Sequence, residues 1–428
     1  MTIDILIINV HSWRNLGDAA LYEAALSQIA ASFSDSSITL AINDPESYAG
    51  TDQRVISFFH WINHKTEHKS PALAWLIMTT WFAAWLYRLS HIKLLWVVPK
   101  PIRETFSAYL SADVIVNAPG GYFYSYGNGR DFLAIAYTMV LAELCGKPLY
   151  IFPQSIGPFK RQSEKWLTRF IFNHARIAML RELTSLNYLV EIGVSASVCR
   201  FVPDTAFAFV GDPPAAAEEW LRSIGIDPFV ERPLLGISVM NRSIQDPTFK
   251  NQFAYVEALC LVAVKFIEEH GGRVLVFSQT WGPSVYEDDR PITKQLVEHL
   301  CELGVPASAV MTPLPPRLLK ALYGELDLLI GTRMHSNIFA LSQNVPTIAV
   351  GYMHKTLGIA SSLGLEEWVI DIRQVDTEVL TDKLNRLWST RPVILNYLEK
   401  VISETIEQAS AAGEIVALDY QSKRGRFN

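Results

Sequence analysis

Short runs of β-branched and apolar residues alternate with longer stretches of helical periodicity along most of the 428-residue chain. That alternation predicts parallel α/β architecture, because strands buried on both faces read as near-continuous apolar runs. In the first half the runs are Ile3–Val10, Ile38–Ile42, Val114–Asn117, Leu149–Phe152, Ile177–Leu180 and Arg200–Val202. The second half restarts at Leu234–Val239 and continues through Arg273–Phe277, Val310–Thr312, Leu326–Ile330, Thr347–Val350 and Trp368–Ile372. Between them Gly211-Asp212-Pro213-Pro214, Asp227-Pro228 and Arg232-Pro233 mark a boundary. Two doubly wound Rossmann-like domains facing a cleft follow, residues 1–212 and 233–392, with 393–428 as a C-terminal helix and tail. The helical pattern near Val393–Ala411 would return to brace the first domain, and Gln421–Asn428 reads as a solvated basic tail. No tandem repeat or low-complexity tract interrupts the pattern.

One segment departs from it. Ser70 to Tyr87 carries no charge and crowds Trp75, Trp81, Phe82, Trp85 and Leu86 together. As a helix it would extend roughly 27 Å at 1.5 Å per residue, close to spanning length. A crossing would place strands of one sheet on opposite sides of a bilayer, so spanning is rejected. Two readings of this apolar insertion near 70–98 stay open. One is a buried helix; the other is an in-plane membrane anchor with Lys65, Lys69, Arg88 and Lys93 near headgroups.

Composition narrows the function classes. A formal net charge of −6 leaves no basic surplus for a general nucleic-acid binder. The cysteines Cys145, Cys199, Cys260 and Cys301 are scattered, which suggests neither a zinc site nor a disulfide framework. The N-terminus lacks the basic n-region of a signal peptide. A reduced, cytoplasmic setting fits best, with the inner face of a membrane as its peripheral extension.

The chemistry gathers at predicted strand exits, where α/β folds bind ligands. Leu329-Ile330-Gly331-Thr332-Arg333-Met334-His335-Ser336 delivers a cation and an imidazole, and Tyr352-Met353-His354-Lys355 follows the next strand. At strand period two, Arg333 and His335 would share a face. An anion, most plausibly a phosphate ester, is the natural occupant. A structural ion pair with a satisfied histidine is the bland alternative. Of His354 and Lys355, Lys355 is the better candidate.

Asn15-Leu16-Gly17-Asp18 opens a helix after the first strand, with Asp18 as its N-cap and exposed N–H groups suited to an anion or hydroxyl. It departs from GxGxxG, so a nicotinamide cofactor has little support. Pro119-Gly120-Gly121-Tyr122 allows close approach of a ligand, and Ser125 to Arg130 offers faces for a sugar. Gln154 and Ser155 supply hydrogen bonds. Arg181, Asp204 and Arg242 stand at further strand exits, where Asp204 would hold Arg181, accept a proton or simply cap a helix. Asp288-Asp289 would suggest a metal, but such a pair is more often a solvated loop.

In this order the stretches Asn15–Asp18, Pro119–Gly121, Pro153–Pro158, Arg181-Glu182 with Ser185, Pro203-Asp204, Gly331–Ser336 and Tyr352–Lys355 resemble the polysaccharide pyruvyl transferase family, and the layout is similar to exopolysaccharide members of the colanic-acid type. The resemblance covers nearly the whole chain. It implies a GT-B-like fold and transfer of pyruvate from phosphoenolpyruvate to a sugar as a ketal, without metal or cofactor. It also implies that Arg333 binds the donor and His335 is the general acid–base. Lys355, Arg242 and Arg181 would neutralise the donor, and Asp18 or Asp204 would deprotonate the acceptor. Asn15, Gly17, Gly120, Gly121, Gln154, Ser155 and Ser336 would complete the substrate contacts. A lipid-linked oligosaccharide would suit as acceptor. Two departures stand out: Tyr122, where relatives often carry a third glycine, and the tryptophan-rich insertion. A nucleotide-sugar glycosyltransferase and a non-catalytic membrane-associated pathway protein remain as alternatives. The sequence leaves the oligomeric state open.

Overall fold

The computed structural model describes residues 2–57, 70–125, 129–246, 248–311 and 313–424. Lys65, Lys69, Tyr126–Asn128 and the end of the basic tail lie outside the described residues. The chain divides into two compact units. The first is Met1–Trp13, Ala25–Asp204 and Ser410–Asn428, and the second is Arg14–Ala24 and Thr205–Ala409.

The first unit holds strands β1 (Ile3–Val10), β2 (Ser36–Ile42), β3 (Arg54–Ser57), β4 (Val114–Asn117), β5 (Gly120–Phe123), β6 (Leu149–Ile156), β7 (Ile177–Leu180) and β8 (Cys199–Phe201). They form one sheet in the order β3-β2-β1-β4-β6-β7-β8, with β5 beside β6, and the pairings are parallel. The expected strands are present; β3 and β5 are additional. β3 is a four-residue edge strand with polar ends, and the glycine pair of β5 reads as a turn in sequence. Neither offers the apolar run that announces a buried strand.

The second unit holds β9 (Leu234–Ser238), β10 (Arg273–Phe277), β11 (Ala307–Val310), β12 (Leu328–Gly331), β13 (Thr347–Gly351) and β14 (Val369–Asp371). The order is β11-β10-β9-β12-β13-β14, again parallel. Every residue of β9, β12 and β13 is buried, as helices on both faces require. Strands are added outward in one direction from β9 and in the other from β12, so the carboxyl ends of these two form a topological switch point, the usual ligand position in doubly wound sheets. Strand β11 lies three residues earlier than its expected start.

The boundaries differ from expectation. The division falls between Asp204 and Thr205, ahead of the proline-rich stretch, and Arg14–Ala24 joins the second unit. Helix Arg391–Ala409, expected to brace the first unit, belongs to the second and buries Leu398, Ile402, Thr405 and Ala409. Helix Ala412–Arg424 rejoins the first unit instead, where the Tyr150 hydroxyl donates to Asp419 at 2.7 Å. Residues 421–424 of the expected tail are thus helical. Amphipathic periodicity continues through both helices, so the sequence alone does not say where one stops serving the second unit.

Buried Lys320 secures the entry to the second unit. Its ammonium donates to the carbonyls of Ala206, Phe207 and Phe209 around the turn Thr205–Phe207. Burial pushes its pKa from the ordinary 10.5 down to about 7. Between those two values the unfolded chain binds more protons than the folded one, so Lys320 makes stability rise with pH across that window. Urea unfolding of Lys320→Met should therefore show a flatter pH dependence than the parent from pH 7 to 10.5. Identical slopes would contradict this reading of Lys320.

Candidate active site

Arg333 leaves the sheet at the switch point. Ser238, the last residue of β9, accepts from the backbone N–H of Thr332 at 3.1 Å and of Arg333 at 3.4 Å through its hydroxyl. Thr332 is fully buried, and its hydroxyl meets that of Tyr255 at 2.6 Å. β12 has already ended at Gly331, and Arg333 is the extended N-cap of helix Met334–Leu341. The expected strand alternation of Arg333 and His335 is therefore wrong. A turn and the first turn of a helix set their directions instead.

Asp289 holds the arginine. Arg333 Nε donates to one carboxylate oxygen at 2.9 Å and Nη2 to the other at 2.5 Å, the two-pronged geometry that suits a guanidinium. Both side chains are largely enclosed, 13% exposed for Arg333 and 2% for Asp289. Thr280 also joins them: its hydroxyl donates to Asp289 at 3.1 Å and accepts from Arg333 Nη2 at 3.5 Å. Burial works against the guanidinium's charge, but the Asp289 carboxylate more than offsets it and raises the pKa above its usual value. Among the described residues Nη1 makes no hydrogen bond, so one edge of a fixed cation remains for an anion.

Sequence reasoning set Asp288-Asp289 aside as a solvated loop. Only Asp288 fits that reading, pairing with neighbouring Arg290 at 2.7 Å. Asp289 is the counter-ion. The missed signal was electrostatic: an arginine at a buried strand exit requires an acid, and this pair follows the β10 exit. No group of three or more metal-ligating side chains occurs among the described residues.

The Asn15 motif reaches the same place. Leu16 N–H donates to the Gln279 carbonyl at 3.2 Å, Trp281 N–H to that of Arg14 at 3.1 Å, and Asn15 bridges Thr280 as an antiparallel pair. Asn15, not Asp18, caps helix Leu16–Ser32: its side-chain oxygen accepts from the N–H groups of Gly17 and Asp18. Asp18 in turn accepts from the Asn15 amide at 2.9 Å. Gly17 lies against the imidazole. A Cβ there would stand 2.1 Å from His335 Nδ1, so only glycine leaves the ring its present position.

Beneath this surface a buried network fixes the helix. The Tyr323 hydroxyl lies 3.0 Å from Gln279 Oε1 and 2.9 Å from the Ser336 hydroxyl, and Ser336 donates to the same Gln279 oxygen at 3.0 Å. Ser336 was expected to touch substrate. It is fully buried, and its hydroxyl holds helix Met334–Leu341 to the β10 exit.

A cavity of about 870 Å³ lies beside β13 and β14, lined among others by Arg242, Lys250, Tyr352, His354 and Arg373. Arg242 lies 4.9 Å over the Tyr352 ring and pairs with Asp246 at 2.9 Å. Tyr352 is within electrostatic reach of Arg333, so the ion pair and the cavity are neighbours. His354 lines this cavity and Lys355 does not, the reverse of the sequence preference.

The remaining expected site residues lie in the first unit. Arg181 is 1% exposed and ion-paired with buried Asp204; its Nε donates to Ser155 at 2.7 Å, and Ser155 donates to Glu182 at 2.9 Å. Arg181 and Asp204 offset one another's charge inside the unit. Gln154 is likewise buried and donates to the Ala118 carbonyl at 2.8 Å. Gly120 pairs with Gln154 at φ 153°, a conformation that favours glycine, and Gly121 follows it in β5. These residues build the strand ends of the first unit.

A family model for polysaccharide pyruvyl transferase matches residues 15–354, from the Asn15 cap to His354. The chain belongs to the polysaccharide pyruvyl transferase family. Membership makes it a transferase with a pyruvyl transfer role. It is 23% identical over 329 residues to the amylovoran biosynthesis protein AmsJ of Erwinia amylovora, covering 75% of each chain. Three solved structures share its fold over nearly their full length. HepE of Anabaena in complex with UDP and glucose has a TM-score of 0.53 at 12% identity, covering 99% of each chain. A glycosyltransferase from Rickettsia africae scores 0.59 at 10%, covering 98% of this chain and 99% of the other. UDP-GlcNAc 2-epimerase from Neisseria meningitidis scores 0.57 at 10%, covering 99% and 100%. Their likeness shows the two-sheet α/β fold of GT-B type.

The ion pair generates a direct test. Asp289→Ala leaves a buried guanidinium without its counter-charge and should destabilise the protein by about 3–5 kcal/mol. Urea unfolding measures it; a change within experimental error would show that Asp289 does not hold Arg333.

Proposed function

We propose that the protein transfers pyruvate from phosphoenolpyruvate to a sugar of a polysaccharide or lipid-linked oligosaccharide, forming a cyclic ketal. The observation that carries this reading is the clamped Arg333, two residues before His335, at the sheet's switch point in a chain of this family. Phosphoenolpyruvate carries a phosphate and a carboxylate, and the Nη1 edge of Arg333 presents a planar donor suited to either. Lys250 in the adjacent cavity supplies further positive charge, whereas Arg242 is offset there by Asp246.

Ketal formation begins with protonation of the donor's terminal methylene, which places oxocarbenium character on the neighbouring carbon. His335 is the residue for that step, since an imidazole exchanges protons near neutral pH. One acceptor hydroxyl attacks the cationic carbon and the carbon–phosphate oxygen bond breaks. A second hydroxyl then closes the ring. Of the two hydroxyl protons, one replaces that spent on the methyl group and the other leaves with inorganic phosphate. Fixed cations lower the barrier by stabilising the departing phosphate. Asp18, in the first helical turn beside Gly17, is the candidate base for the acceptor. A cytoplasmic enzyme at the inner membrane face, where donor and lipid-linked sugars meet, suits this chemistry.

The test is incubation with phosphoenolpyruvate and a pathway oligosaccharide, reading phosphate release together with an acid-labile mass gain. His335→Ala should cut turnover by roughly 10²–10⁴, the range for loss of a general acid–base. Turnover equal to the parent would remove His335 from the mechanism. Saturable binding of a nucleotide sugar without phosphate release from phosphoenolpyruvate would favour glycosyl transfer instead.

A further inference from the structure

Helix Ser70–Ser90 of the first unit has two unlike faces. Leu76, Thr80, Ala83 and Ala84 are buried, and the Thr80 hydroxyl returns to the Leu76 carbonyl at 2.8 Å. On the outer side Trp75, Met78, Phe82, Trp85 and Leu89 follow at three- and four-residue spacing, and all are exposed, as is Trp81. The stripe continues beyond the helix to Trp96, which is 74% exposed. That loop is pinned by Arg103, whose guanidinium donates to the Val98 carbonyl at 2.7 Å and the Trp96 carbonyl at 3.1 Å. A contiguous apolar ridge of this size marks a contact surface.

Its surroundings identify the contact. A cavity of about 400 Å³ opens at the C-terminal end of the helix, with Arg88, Lys147, Arg176, His174 and Lys423 in its wall against the single carboxylate Glu143. The cavity adjoins the last turn of the helix: Arg88 lines its wall, and Lys147 lies 5.6 Å over the ring of Tyr87, which packs inward on the side away from the tryptophans. An uncharged aromatic face that ends in a cluster of cations matches an anionic lipid surface. Indole rings settle at the level of the headgroups, and cations pair with their phosphates. No helix among the described residues is long and apolar enough to cross a membrane, which leaves contact in the plane of the surface.

We propose that the protein docks on an anionic phospholipid bilayer through the outer face of helix Ser70–Ser90 and Trp96, with the Arg88–Lys147–Arg176–Lys423 cavity receiving headgroup phosphates. This deepens the membrane-side placement proposed above but does not rest on the transfer chemistry.

Sedimentation of the full chain with vesicles of phosphatidylcholine, alone or with phosphatidylglycerol, tests it. The protein should pellet with the anionic vesicles and be released by high salt. Trp81→Ser with Trp85→Ser should lower the vesicle-bound fraction at least about tenfold, because two interfacial aromatics are lost. Arg176→Glu with Lys423→Glu should abolish the preference for phosphatidylglycerol. These four side chains are outside the proposed active site, so transfer to a soluble acceptor should persist in the variants; absence of transfer in the parent itself would sink the chemistry and spare the docking. Failure of the folded parent to pellet with either vesicle, or equal pelleting with both, would overturn the proposal. So would self-association in solution that the tryptophan variant abolishes without any vesicle binding, which would assign the ridge to a second copy.

Discussion

A single buried ion pair organises the second unit's active side. Removing an arginine and an aspartate from water costs several kcal/mol per ion, and their attraction offsets that only when the geometry is good. Here the geometry is good, with two parallel hydrogen bonds and a threonine hydroxyl between them. The pair joins the β10 exit to the β12 exit. The Asn15 loop is stitched to the first of these through Gln279 and Thr280, and Gly17 lies against His335. Cation, imidazole and helix cap are therefore placed by one set of contacts.

The second layer is neutral. Tyr323, Gln279 and Ser336 exchange hydrogen bonds below the surface and hold the first turn of helix Met334–Leu341. Burial raises the Tyr323 hydroxyl's pKa well above its ordinary value, so it remains a donor. The neutral layer faces the core. In the first unit the corresponding charges, Arg181 and Asp204, turn inward and satisfy one another. Both sheets thus carry arginines near their strand ends, each held by a buried aspartate.

Fold class was legible because it depends on pattern. Buried parallel strands such as Leu234–Ser238 announce themselves as apolar runs, whereas polar-ended Arg54–Ser57 and glycine-led Gly120–Phe123 do not. Arg333 and His335 were recognisable as a pair from spacing after an apolar run. Their direction was not, since it depends on β12 stopping at Gly331 and a helix starting three residues later. Asp289, Gln279 and Tyr323 were hidden for another reason: their roles come from contacts across 13 to 57 residues of sequence. Ser336, Gln154 and Arg181 show the converse. Polar residues at strand exits look like ligands in sequence, yet each of these is buried and makes hydrogen bonds within the protein. The two-sheet scaffold is shared with proteins of other activities, so function is argued from the site and the family and not from the fold.

The most direct test of the central claim is a crystal structure of the protein with phosphoenolpyruvate. The expected result is the donor's phosphate or carboxylate against Arg333 Nη1, with the Asp289 clamp intact and the methylene facing His335. Donor bound elsewhere, with Arg333 contacting only Asp289 and Thr280, would contradict it and return that arginine to a purely structural role.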